Sequence, residues 1–325
     1  MEKTVKVIVM DNKIAKTFEA FNSLSSELKE IIVGKDEQID KTLACLLAKG
    51  HILLEDMPGV GKTTLASALA SAIRGSFSRI QFTSDLLPFD IIGSKIYRRQ
   101  TEIFEFKKGP IFSNVVLADE LNRTSPKTQS ALLQAMNEAS VSVDKITYDM
   151  PKPFIVIATQ NPCGSSGTYP LPESQMDRFM MRISLGYPDA KQEKAILLKN
   201  LKSIPAKTTK TVLEPEQVIE AQDYVLKIDI DEKVLDYIVN IVNAIRNHEE
   251  VLQAASSRGS IALMRAAQAV SFLKGKEYVT IDTVKSIVCD VLAHRISLKK
   301  SLKLTDKTAN AEWLSCEILQ KINVE

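Results

Sequence analysis

Gly59-Val60-Gly61-Lys62-Thr63-Thr64 places two glycines, a lysine and two hydroxyls within six residues, directly after Asp56-Met57-Pro58. Backbone N–H groups of a glycine-rich turn, aimed by the start of a helix, make a concave site for an anion. A lysine at Lys62 would reach the outer phosphates of such an anion, and the Thr63 hydroxyl would face its metal ion. The flanks suit this chemistry. His51-Ile52-Leu53-Leu54 is an apolar strand candidate, and Leu65, Leu69 and Ile73 recur at helical spacing after the loop. Asp56 stands where the phosphate-loop pattern has its first glycine. The glycines nearest the phosphates, Gly59 and Gly61, are in place, so the departure is tolerable.

Val115-Val116-Leu117-Ala118-Asp119-Glu120 supplies the acids that the loop lacks. A carboxylate at the end of a buried strand, here Asp119, can hold Mg²⁺ and its waters. Glu120 points differently and can polarise a water as general base. Such a base argues for hydrolysis over mere nucleotide holding. A third polar group, Asn161, follows the apolar run Phe154–Ala158. In a parallel sheet with neighbouring strands, Asn161 leaves the same carboxyl edge as Asp119 and can orient the attacking water.

The elements that position these residues read from the same pattern. Helices are expected over about 18–32 and 36–49, and over a segment that opens at Ser125-Pro126, with Ser as cap and Pro at the first helical position. Val141 to Met150 reads as a hairpin turning at Asp144. After Gly186-Tyr187-Pro188 helical periodicity dominates to the end, interrupted at 203–215. A boundary near 187–189 therefore divides the chain into residues 1–188 and 189–325, as its 325 residues allow.

The net charge of +2 gives no electrostatic case for an obligate nucleic-acid or membrane-surface protein. The four cysteines form no close pair and the three histidines are scattered, which predicts reduced thiols in a cytoplasmic protein and no metal cluster. No apolar run approaches the roughly 18 residues of a membrane span.

In order, Leu53 to Thr63, Leu117 to Arg123, Ala158 to Pro162, Leu171 to Phe179 and Ala255 to Arg258 resemble five sequence blocks of the MoxR family of AAA+ ATPases, over about residues 12–320. An Asp in place of the first loop glycine occurs in that family too. The resemblance implies a P-loop αβα core with a five-stranded parallel sheet, followed by an all-helical lid. It also implies ATP and Mg²⁺ as ligands and a ring of identical subunits, usually six. An arginine lent by the neighbouring subunit would act on the γ-phosphate, with Arg178 the candidate and Arg123 and Arg182 its rivals. Arg258 matches the family's lid arginine that contacts ATP, and Val33-Gly34 would lie against the adenine. An insert within about 84–109 and the hairpin at 141–150 would face client proteins, some of which carry a von Willebrand factor A domain. A metal-chelatase motor, a nucleic-acid motor and a nucleotide-gated scaffold are the alternatives. For the nucleic-acid motor, Arg98-Arg99 and Lys107-Lys108 could touch phosphates, but no aromatic-plus-basic platform is visible in the sequence.

Overall fold

The computed structural model describes residues 12–56, 59–100, 102–160, 169–202, 210–299, 314 and 318–322. Pro58 and Asn161, both named above, lie outside them, as do the first eleven residues. Among the described residues no helix is long and apolar enough to cross a membrane.

The centre is a parallel sheet of five strands: β1 (Ile52–Glu55), β2 (Phe77–Gln81), β5 (Val115–Asp119), β8 (Ile155–Gln160) and β9 (Met181–Ile183), in the order β2-β5-β8-β1-β9. β3 (Gly93–Arg98) pairs with β4 (Ile103–Lys108), and β6 (Ser140–Val143) pairs with β7 (Ile146–Asp149), as separate antiparallel hairpins. The second hairpin turns at Asp144 and Lys145, both left-handed (φ 49° and 68°), as a two-residue turn between right-twisted strands requires.

Successive residues of a strand face opposite sides, and each side of the sheet has its own apolar layer. Val115, Leu117, Ile155 and Ile157 join α1 (Asn12–Ile31), α2 (Asp36–Leu47) and α3 (Lys62–Ala72) on one side. Val116, Ala118, Val156 and Ala158 meet α4 (Pro88–Ile92) and α5 (Pro126–Glu138) on the other, together with Met176 of the short α6 (Glu173–Met176). β8 is covered on both faces and buried along its whole length, which is why Ile155 to Ala158 are all apolar.

Helices dominate beyond β9: α7 (Ala190–Lys202), α8 (Pro215–Val225), α9 (Glu232–Arg246), α10 (Ser257–Leu273) and α11 (Ile281–Leu292), with the strand pair β10 (Val251–Gln253) and β11 (Ser297–Leu298). α7 opens with a reciprocal cap: the Asp189 N–H donates to Gln192 Oε1 at 3.0 Å and the Gln192 N–H to Asp189 Oδ1 at 2.8 Å. α1 starts six residues before the periodicity suggested, because its first turns pack on α10, with Phe18 edge-on to Phe272 at 5.9 Å.

Candidate functional site

The register of the sheet brings the sequence-predicted acids to one edge. Gln81 of β2 lies opposite Asp119 of β5, Ala118 opposite Ala158 of β8, and Thr159 opposite Leu54 of β1. The carboxyl ends of β1, β2, β5 and β8 therefore surround the loop that leads into α3. There Gly59, Gly61, Lys62, Thr63, Thr64, Arg79, Gln81, Asp119 and Glu120 line a cavity of about 370 Å³.

Gly59 and Gly61 have φ of +88° and +98°, and a Cβ on either would meet nothing among the described residues within 4 Å. Glycine is needed there for backbone conformation, not for lack of space. The turn delivers the first N–H groups of α3 to the cavity, where the helix terminus leaves them without intrahelical acceptors. Val60 faces the other way and packs on the core. Lys62 is 8% exposed, and its Nζ donates to the Asp56 carbonyl at 2.9 Å. Burial lowers its pKa from the usual lysine value, and the carboxylates of Asp56, Asp119 and Glu120 oppose that shift.

Asp56 does more than tolerate the place of a glycine. Its buried carboxylate accepts from Ser184 Oγ at 2.6 Å, the Leu185 N–H at 2.7 Å and the Gly186 N–H at 2.9 Å. The phosphate loop is thereby tied to the chain leaving β9. Val33 and Gly34 do not line the cavity. They form a turn beside that same exit, where Lys35 Nζ donates to the Tyr187 carbonyl at 3.1 Å and the Gln192 side chain covers Gly34.

Sequence reasoning missed three residues around the acids. Arg79 Nη2 sits 2.6 Å from Asp119 Oδ2 and 3.1 Å from Gln81 Oε1. Gln81 Nε2 donates to Glu120 Oε2 at 2.9 Å, and Arg123 Nη1 reaches the same oxygen at 2.9 Å. The fully buried Thr159 hydroxyl donates to Asp119 Oδ1 at 2.7 Å and accepts from the Glu120 N–H at 2.8 Å. Glu120 itself is left-handed, at φ 58° and ψ 46°, a strained conformation for a non-glycine residue that turns its carboxylate away from that of Asp119. Thr159→Val would remove the hydroxyl that aims both acids. ATP turnover of that variant should fall about 10–100-fold, the cost of a misplacement near 1 Å. Nucleotide affinity should stay within about threefold, since the hydroxyl faces no phosphate-loop residue. Steady-state rates and a binding titration together check this.

The oxygen donors at the cavity suit a hard divalent cation. They are the Asp119 carboxylate and the Thr63 hydroxyl, with room for waters and phosphate oxygens. The Arg79 guanidinium on Asp119 Oδ2 already places positive charge at the carboxylate a metal would use.

The arginines fall elsewhere. Arg182 is half-buried and paired with Glu55 at 3.0 Å, and Arg123 is taken up by Glu120. Arg178 and Arg258 line a second cavity of about 300 Å³ beside Lys49, His51, Arg265 and Arg295. His51 adds no charge there, because burial pushes its pKa down to about 4; its Nε2 donates to the Met136 carbonyl at 3.0 Å while Nδ1 accepts from the Val156 N–H at 3.0 Å. Arg178 Nη1 donates to the Leu133 carbonyl at 2.7 Å, and its Nε is buried without a partner among the described residues. Arg258 is exposed, and among the described residues no carboxylate pairs with it. This second cavity borders Gly50-His51, just before β1, and Met180, just before β9. It therefore lies at the amino ends of parallel strands whose carboxyl ends carry the phosphate loop. Arg258 therefore lies a strand's length from the phosphate loop of its own subunit, grouped with Arg178.

The β3–β4 hairpin also departs from expectation. It presents Tyr97 and Phe104, 52% and 64% exposed and 5.2 Å apart, next to Arg98. An aromatic pair beside a basic residue is present after all, although Arg98 is bound to Glu105 at 2.5 Å. The two hairpins are joined by Phe106 stacked on Tyr148 at 4.3 Å and by Lys95 on Asp144 at 3.1 Å.

Comparison with known proteins agrees with this fold. Residues 51–181 match the family described as "ATPase family associated with various cellular activities (AAA)", and residues 243–312 match an AAA lid domain. The chain is 47% identical to the uncharacterized protein YeaC of Bacillus subtilis, over 91% of this chain and 92% of that protein. It is 41% identical to Chaperone MoxR1 of Mycobacterium tuberculosis, over 84% and 74%, and 30% identical to Protein MoxR of Paracoccus denitrificans, over 89% and 92%. A crystal structure from Cytophaga hutchinsonii, of a protein provisionally assigned as an ATPase, superposes with a TM-score of 0.86 at 36% identity, covering 96% of this chain and 97% of that one. The chain belongs to the MoxR family of AAA+ ATPases, and it binds and hydrolyses ATP.

Proposed function

We propose that this ATPase works as a Mg²⁺-dependent ring of identical subunits that spends ATP on remodelling or maturing protein partners.

 Six subunits is the number the family resemblance implies. The observation that carries the reading is the separation of the two cavities. Arg178 and Arg258 lie about 13 Å of strand away from the phosphate loop of their own subunit, taking four residues of β1 at roughly 3.3 Å each. A ring brings the amino-end cavity of one subunit against the carboxyl-end cavity of the next, where two guanidinium groups can meet a triphosphate.

Within that site Lys62 and the first N–H groups of α3 hold the phosphates. Thr63 and Asp119 hold Mg²⁺, which supplies charge neutralisation at the phosphate oxygens when bound. Glu120 takes the proton of the attacking water. Asn161 orients that water, and Pro58 belongs by sequence to the nucleotide-binding set. Val33 and Gly34 face the adenine beside the β9 exit. Arg178 and Arg258 come from the neighbouring subunit and oppose the negative charge that develops on the γ-phosphate. The division at 188/189 separates the nucleotide-binding core from the lid. The absence of closely spaced cysteine pairs supports a reducing, cytoplasmic setting.

A protein client is the partner class we favour. The relative named Chaperone MoxR1 and the exposed aromatic pair Tyr97–Phe104 on the joined hairpins support it. A partner with a von Willebrand factor A domain falls within this reading. The test is subunit mixing. Arg178→Ala should bind ATP normally yet hydrolyse it slowly. Adding Lys62→Ala subunits, which carry intact arginines but an idle site, should restore turnover. No restoration at any mixing ratio would refute an arginine acting between subunits.

A further inference from the structure

Arg178 and Arg258 stand about 80 residues apart, one in the turn after α6 and the other in the first turn of α10, yet they line one cavity. Asp177 joins them. Its Oδ2 accepts from Ser256 Oγ at 3.0 Å, and that same Oγ accepts from the Arg258 N–H at 3.1 Å, capping α10. Its Oδ1 accepts from Arg295 Nε at 2.8 Å. The Arg295 side chain is 2% exposed and gives its other donors to the carbonyls of Asp177 at 3.1 Å, Phe179 at 2.7 Å and Met180 at 3.2 Å. Those carbonyls bracket Arg178. One guanidinium thus fixes the turn that carries the core arginine, while the carboxylate it pairs with fixes the helix start that carries the lid arginine.

We propose that Asp177 and Arg295 are positioning residues that, through Ser256, bolt the lid arginine Arg258 to the core arginine Arg178, so that a subunit presents both to its neighbour's nucleotide as one rigid unit. The inference rests on the reading that these arginines act between subunits. A buried guanidinium bound to one carboxylate and to these three carbonyls is costly to break and geometrically specific. Neither Asp177 nor Arg295 has to touch the nucleotide.

The experiment uses the full chain at concentrations that assemble it. Asp177→Asn keeps the side chain's shape and loses its charge. Its kcat should fall ~10-fold or more, the range expected when a reacting geometry loosens, with its affinity for a fluorescent ATP analogue within threefold. Mixing it with Lys62→Ala subunits should restore turnover, because its own phosphate site is intact and borrows sound arginines. The Arg178→Ala mixture, run alongside, tests the underlying reading. If that mixture fails, the reading falls. If it succeeds while Asp177→Asn turns over normally, or is not restored by mixing, the positioning inference alone falls. Ser256→Ala decides the matter should Asp177→Asn not fold. It should slow turnover in an otherwise unchanged chain but add nothing to Arg258→Ala, since both act through one guanidinium. Additive losses, or a normal rate for Ser256→Ala, would overturn the proposal.

Discussion

Lys62→Ala is expected to weaken ATP binding at least ~10²-fold, to the point where turnover is undetectable at micromolar nucleotide. A charge-assisted hydrogen bond contributes about 1.5–3 kcal/mol, and each 1.4 kcal/mol is a factor of ten. Lys62 stands to lose more than one such bond, because its ammonium can bridge two phosphates from the start of α3. The residue is also positioned in advance. It is 8% exposed, with Nζ held on the Asp56 carbonyl at 2.9 Å, so little ordering is left for the nucleotide to impose. The helix should survive the change, since alanine is the best helix former and Nζ makes no bond to a side chain among the described residues. Calorimetric titration with ATP checks the affinity, and an unaltered thermal midpoint shows that the fold persists. Binding within threefold of the parent chain would remove Lys62 from the phosphate site.

What the sequence made legible was the part of the site built by neighbours along the chain. Gly59 and Gly61 had to be glycine because of their φ, Lys62 follows them at once, and Asp119 and Glu120 end a strand whose uninterrupted apolarity marks it as buried. Ser125 and Asp189 announced their helices through capping chemistry that operates over three residues. The sheet itself follows from short apolar runs separated by helical periods. Arg79, Gln81 and Thr159 stayed hidden because their partners are about 40 residues away and meet them only when β2, β5 and β8 pair in register. Alternation along β2 puts Arg79 and Gln81 on one face, but nothing local says that Asp119 lies beside them. Asp56 looked like a tolerated departure from a glycine because its three hydrogen-bond donors lie on the far side of β9. The location of Arg258 was not legible for a related reason. Its helix is legible, but which end of the sheet that helix caps depends on Asp177, Ser256 and Arg295 meeting across the fold.

Glu120→Gln separates binding from chemistry. It preserves length and shape, and the Gln side-chain oxygen can still accept from Gln81 or Arg123, so the loop after β5 should keep its left-handed turn. The amide cannot take a proton from water. Removing a general base costs about 10²–10⁴-fold, and this variant should hydrolyse ATP slower by that factor while binding it as well as the parent chain. The charge change favours retention, because a neutral group no longer repels the γ-phosphate. The two readouts pull apart in single-turnover measurements: the bound fraction of labelled ATP stays high while the hydrolytic phase is lost. Loaded with ATP in this arrested form, the assembly should also hold its protein client, making it the bait of choice for co-purification. Hydrolysis at a normal rate would take the general-base role from Glu120, and Asp119, fixed by Thr159 at 2.7 Å and by Arg79 at 2.6 Å, would then be the next carboxylate to replace.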